Sequence, residues 1–110
     1  MVRVQLSGRT LAESKDTIII DGNHYFPPAS IDKSLLISSD TSSVCPWKGT
    51  ASYYNAQIDG KTNIKDVAWY YPHTITDKAK PIENYVAFYK VESIFFLYCD
   101  GLTNPFPLPE

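Results

Sequence analysis

The chain has 110 residues, 44% hydrophobic, 14% aromatic and 20% charged, with a formal net charge of −2. That size and composition exclude a disordered polymer and suit one globular domain that buries a core without a disulfide or metal staple. The interleaved charges lack the basic stripe of a nucleic-acid module, and the longest apolar run, Ile94-Phe95-Phe96-Leu97-Tyr98-Cys99, is far too short to cross a bilayer, so neither nucleic acid nor membrane is an expected partner.

Val2-Arg3-Val4-Gln5-Leu6 alternates apolar and polar residues and is stopped by Ser7-Gly8, which predicts a first strand. Residues 10–14 suit a second short strand. Ile18, Ile19 and Ile20 are β-branched and strand-favouring, and Asp21-Gly22 supplies a tight turn after them. Pro27 and Pro28 hold the preceding Asn23-His24-Tyr25-Phe26 extended. One short helix is expected over residues 30–36, capped by Ser30, with Ile31 and Leu35 one turn apart on one face. Residues 38–43, all Ser, Thr or Asp, read as a polar loop. Residues 50–58 and 67–71 read as the two arms of a hairpin around Asp59-Gly60. Val67, Trp69 and Tyr71 are expected to share a face, but the pairing register stays open, because a slip of one residue exchanges the faces. A helical turn is expected at residues 76–80. Residues 85–89 and 94–98 are near-continuous apolar strands of the kind covered on both faces. The fold class expected is mainly β, a small single-domain rolled antiparallel sheet or flattened barrel with one short helix. The domain spans residues 1–103, and residues 104–110 form a proline-rich C-terminal tail.

The N-terminal residues carry charge early, at Arg3 and Arg9, and do not read as a signal peptide. Cys45 and Cys99 occupy unrelated contexts, so two free thiols in a cytoplasmic protein are expected. With two cysteines, two histidines and no Cys-x-x-Cys pair, neither a metal nor a cofactor is expected.

Chemistry concentrates in Cys45-Pro46-Trp47-Lys48-Gly49, which is followed by Thr50-Ala51-Ser52-Tyr53-Tyr54 and answered by Ala68-Trp69-Tyr70-Tyr71-Pro72. Together with Gly22-Asn23-His24-Tyr25-Phe26-Pro27 and Val86-Ala87-Phe88-Tyr89, these segments resemble, in order and spacing, the signature blocks of the bacterial family called domain of unknown function 427. The resemblance spans residues 11–90 and implies a small, mostly β single domain. The family carries a nucleotidyltransferase-like label, for which the sequence offers no phosphate-cradling glycine loop.

Each candidate residue has two readings. Cys45 is a nucleophile with a pKa lowered by Lys48 and with His24 as its base, or a buried thiol at a strand entrance. His24 is a general acid or base, or a turn histidine satisfied by backbone. Lys48 is a point charge for a phosphate or carboxylate, or a loop lysine packing its stem on tryptophan. Glu13 reads as an exposed acid, with Lys48 or Arg9 as its candidate partner. Asn23 and His24 mark a pocket rim, while Trp47, Trp69 and Tyr71 offer stacking surfaces. The expected function is binding of a small polar or anionic metabolite in an aromatic-lined pocket, with His24 and Cys45 as the catalytic candidates and Asn23, Trp47, Lys48, Trp69 and Tyr71 as the binding residues. The alternative is a non-catalytic interaction or dimerisation module, a homodimer through aromatic faces or strand edges.

Overall fold

A computed structural model describes residues 1–58, 60, 62–90 and 94–98, so Cys99 and the expected tail lie outside the described residues. The chain forms β1 (Val2–Leu6), β2 (Arg9–Ser14), β3 (Ile18–Ile20), β4 (Asn23–Tyr25), β5 (Leu36–Cys45), β6 (Gly49–Ile58), β7 (Thr62–Tyr70), β8 (Val86–Phe88) and β9 (Ile94–Tyr98). All pairings between these strands are antiparallel, and they make three sheets ordered β2-β1-β9, β3-β4 and β5-β6-β7-β8. The mainly β, antiparallel expectation therefore holds, as open sheets rather than a closed barrel among the described residues.

Two of the turns follow directly from their sequences. Ser7-Gly8 and Asp21-Gly22 each place two consecutive residues at positive φ (52° and 77°, 54° and 79°). That is the geometry of the two-residue turn that matches strand twist, and it joins Leu6 to Arg9 and Ile20 to Asn23 as paired residues.

The four-stranded sheet carries apolar side chains on both faces. On one, Leu36, Ala56, Ile58, Ala68, Val86 and Phe88 pack with Val2, Val4, Leu6 and Leu11 of the first sheet and with Phe26. On the other, Ala51, Trp69, Tyr71 and Ala87 pack beneath Ile18, Ile20 and Tyr25 of the β3–β4 hairpin. The molecule is thus three layers deep, with the large sheet in the middle. All three β8 residues are buried, as expected for a strand covered on both sides. β9 pairs with β1 rather than with β8, so the two late apolar strands belong to different sheets.

The structure departs from expectation at several places. Over residues 30–36 the short helix is replaced by two 3-10 turns, Pro28–Ser30 and Lys33–Leu35. Ile31 lies between them in extended conformation and bridges Ala12 of β2, which interrupts any continuous helix. Asp32 caps the second turn through the Ser34 amide at 3.0 Å, whereas the Ser30 hydroxyl donates to the Pro27 carbonyl. Residues 38–43 are not a loop but the middle of β5, an edge strand that needs no apolar alternation because most of its side chains meet solvent.

The β6–β7 register is Tyr53 opposite Trp69 and Tyr54 opposite Ala68, then shifts between Tyr54 and Ala56. Asp66, at φ 55°, sits in this irregularity with its amide donating to Asn55 Oδ1 at 2.7 Å. The shift breaks the alternation, so Val67 packs in the core opposite to that of Trp69 and Tyr71 instead of sharing their face.

Phe26 and Phe88 meet edge to face, with centroids 5.8 Å apart, at the centre of the larger core, and both are essentially inaccessible. Phe88→Ala is expected to lower stability by about 3–5 kcal/mol, seen as a fall in the urea midpoint at unchanged slope.

Candidate functional site

The Cys45-to-Gly49 segment is the tight connection between β5 and β6, with Cys45 and Gly49 as its closing pair. Gly49 is required there. Its φ is 121°, and a Cβ would stand 2.7 Å from the His73 carbonyl oxygen. Residues 73–76 clamp the connection from outside. The Ile75 amide donates to the Lys48 carbonyl at 3.3 Å, and the Thr76 hydroxyl donates to the Trp47 carbonyl at 2.8 Å.

This clamp turns Lys48 inward. Among the described residues it is the one charged side chain that is buried, with 6% of its surface exposed. Its Nζ donates to Asp21 Oδ2 at 2.8 Å and lies 5.0 Å from the Trp47 ring centroid, 5.8 Å from Tyr71 and 6.0 Å from Tyr25. The ammonium therefore sits in an aromatic cage closed by a carboxylate at the tip of the β3–β4 hairpin. Asp21 is itself largely exposed, its side chain 65% accessible. Trp47 is shared by two cations, with Lys78 Nζ 5.8 Å from its centroid.

Burial is the largest influence on Lys48 and pulls its pKa down. The Asp21 hydrogen bond and the fields of Tyr25, Tyr71 and Asp21 together outweigh it, leaving the ammonium above its ordinary value. Lys48 is thus a fixed positive charge at neutral pH, suited to holding an anion and unsuited to acting as a base. Burial, helped by Tyr25 and opposed by Lys48, pushes Tyr71 up to about 12, so it stays a neutral phenol. The Trp69 indole donates to the Tyr25 hydroxyl at 3.3 Å and meets that ring edge-on, which fixes the cage wall.

The structure brings Trp47, Lys48, Trp69 and Tyr71 together, with the half-buried free thiol of Cys45 packed against the same aromatic cluster. Asn23 pairs with Ile20 and, by strand alternation, shares the inward face of Tyr25. His24 points the other way. It pairs with the exposed Ile19 on the outer face of the hairpin, where its Nδ1 is 2.8 Å from the Thr17 hydroxyl. Glu13 binds neither Lys48 nor Arg9 in an ion pair. It forms a two-pronged pair with Arg3, its cross-strand neighbour, at 3.1 and 3.3 Å. Sequence reasoning missed Asp21 and Tyr25 as members of the cage. Asp21 reads only as a turn former, and no spacing rule links it to a lysine 27 residues on.

Burial, and secondly the Lys90 ammonium, hold the His24 imidazole below its ordinary 6.5. The unfolded chain then takes up the proton more readily than the folded one. Stability should fall as pH drops from above 6.5 and level off below the folded-state value. His24→Asn should flatten that part of the curve, as read from urea midpoints at neutral and mildly acid pH.

No helix among the described residues is long and apolar enough to cross a membrane. A search of the curated proteins finds none that matches the chain. A family model described as Domain of unknown function (DUF427) matches residues 1–96. That match takes in every strand from β1 to β8, the caged lysine and its hairpin latch, and the chain belongs to this family.

Proposed function

We propose that the domain binds a small anionic metabolite through Lys48, with Trp47 and Tyr71 as the contacting walls. The observation that carries this reading is a buried ammonium whose sole carboxylate partner among the described residues stands on an exposed turn. A lysine taken out of water needs a counter-ion, and a solvent-exposed aspartate is a replaceable one. A ligand carboxylate or phosphate would displace Asp21, form the same charge-assisted hydrogen bond and lie against the aromatic rings. Access follows from movement of the hairpin tip off Lys48. Asn23 lies on the inward side of that tip, and Cys45 lies at the edge of the cluster. The fixed charge of Lys48 and the raised pKa of Tyr71 suit recognition better than proton transfer.

The test is thermal stability against pyrophosphate, citrate and adenosine monophosphate. A ligand at a hundred times its Kd adds roughly 2.7 kcal/mol. Lys48→Met, which keeps the apolar stem, should abolish the shift, and Asp21→Asn, which removes the internal competitor, should bring it on at lower ligand concentration. The reading fails if none of the three anions shifts the wild-type protein, or if the shift survives Lys48→Met.

A second reading, an interaction or dimerisation module, is favoured by one surface. Val44 and Ile75, 77% and 62% exposed, line an open groove of about 440 Å³ with Pro72 and His73. Sedimentation velocity over a wide concentration range distinguishes the outcomes. Concentration-dependent dimers abolished by Val44→Lys support self-association, and a monomer at every concentration removes it.

A further inference from the structure

Among the described residues, the face of the large sheet that carries Trp69 is roofed by the β3–β4 hairpin at the Lys48 end only. Beyond the roof none of the described residues covers the surface, which has an unusual chemistry. Ser39, Thr41, Ser43, Tyr53 and Asp66, all exposed or half-exposed and each carrying a hydroxyl or carboxylate, gather there next to exposed Tyr89. Tyr89 is held by its backbone amide on the Val67 carbonyl at 2.9 Å, and its ring lies on Trp69 with centroids 4.5 Å apart. The two rings are tilted by 47°, so the Tyr89 ring is packed on one side only in part, and 42% of the residue meets solvent.

Local backbone distortion serves this patch. β5 bulges between Ser38 and Ser42, and the β6–β7 register shifts between Tyr54 and Ala56. Both irregularities lie at the level of Asp66, whose positive φ aims its carboxylate across the central strand. There Oδ1 accepts from the Ser39 hydroxyl and Oδ2 accepts from the Thr41 hydroxyl at 2.7 Å. Bulges and left-handed non-glycine residues recur where a side chain is re-aimed for function. The two hydroxyls, with burial opposing and Lys65 assisting, hold Asp66 below its usual range, so it is ionised. A carboxylate offers about four acceptor positions, and the two hydroxyl donors leave about half of them unfilled.

We infer that this open half of the sheet is a saccharide-binding platform, in which a pyranose ring lies on the outer face of Tyr89 and a pair of its hydroxyls donates to Asp66. A sugar ring presents a face of C–H groups to an aromatic ring and a rim of hydroxyls to fixed acceptors. A rigid aromatic ring beside a pre-positioned carboxylate meets both needs without reorganisation. The Ser43 and Tyr53 hydroxyls, 2.8 Å apart, extend the polar rim. The platform shares Trp69 with the wall of the Lys48 cage but does not depend on an anion binding there.

The experiment is titration of the intrinsic tryptophan fluorescence with maltotriose, cellotriose and N,N′,N″-triacetylchitotriose, repeated by saturation-transfer NMR. Trp69 is in ring contact with Tyr89 and should report occupancy. Saturable binding of at least one trisaccharide is expected, weakened about tenfold by Tyr89→Ala and much less by Tyr89→Phe, since stacking and not the phenol hydroxyl carries the contact. Asp66→Asn should weaken binding as well, and its urea midpoint identifies any loss that comes from unfolding. Absence of saturable binding by all three trisaccharides overturns the inference, as does binding that Tyr89→Ala leaves unchanged.

Discussion

A sheet that is apolar on both faces has to be covered twice, and most of this architecture follows from that requirement. The β5-β6-β7-β8 sheet places Ala56, Ala68 and Phe88 on one side and Ala51, Trp69 and Ala87 on the other. The first sheet covers the former. The latter falls to a hairpin of two three-residue strands, too small to be stable by itself. It is held by what it covers. The Phe26 and Val86 backbones exchange hydrogen bonds of 2.7 and 2.9 Å, the Tyr25 ring fills the space over Trp69, and Asp21 reaches Lys48.

The last of these contacts combines opposing effects. Desolvation disfavours an ammonium in an apolar layer by several kcal/mol unless it is paired. One carboxylate at 2.8 Å and three ring faces at 5.0–6.0 Å supply the compensation. Because Asp21 keeps contact with water, half of the pair is never fully desolvated, and the net contribution of the bond is modest. The arrangement is more valuable for position than for stability. It fixes where a positive charge stands and leaves its carboxylate partner in contact with water.

Local chemistry made much of this readable in the sequence. Alternation gave β1, the Asp21-Gly22 dipeptide gave its turn, and the apolar β8 showed its double burial. The dense Cys45-to-Gly49 segment drew attention to the caged lysine, since proline, indole, ammonium and glycine together are hard to accommodate on a plain loop. What escaped was either long-range or sign-dependent. β5 looks like a loop because an edge strand can be built from serine and threonine when its partner supplies the ladder. His24 and Tyr25 are neighbours with opposite orientations, and only the register with Ile18 and Ile19 says which turns inward. The face assigned to Val67 went astray because a distortion at Asp66 has no signature in composition.

The distorted middle of β5 also bears on how the molecule behaves in a crowded solution. A ten-residue strand at the margin of a sheet is a template on which another chain could lengthen the ladder. Here the bend at residues 39–41 interrupts the row of unpaired amides, and Asp40 adds a solvated charge at the same level. Two short paired runs, of three and four residues, remain on either side, neither long enough to nucleate stacking easily. The same bend that brings the Ser39 and Thr41 hydroxyls to Asp66 thereby guards this border of the domain against fibre growth.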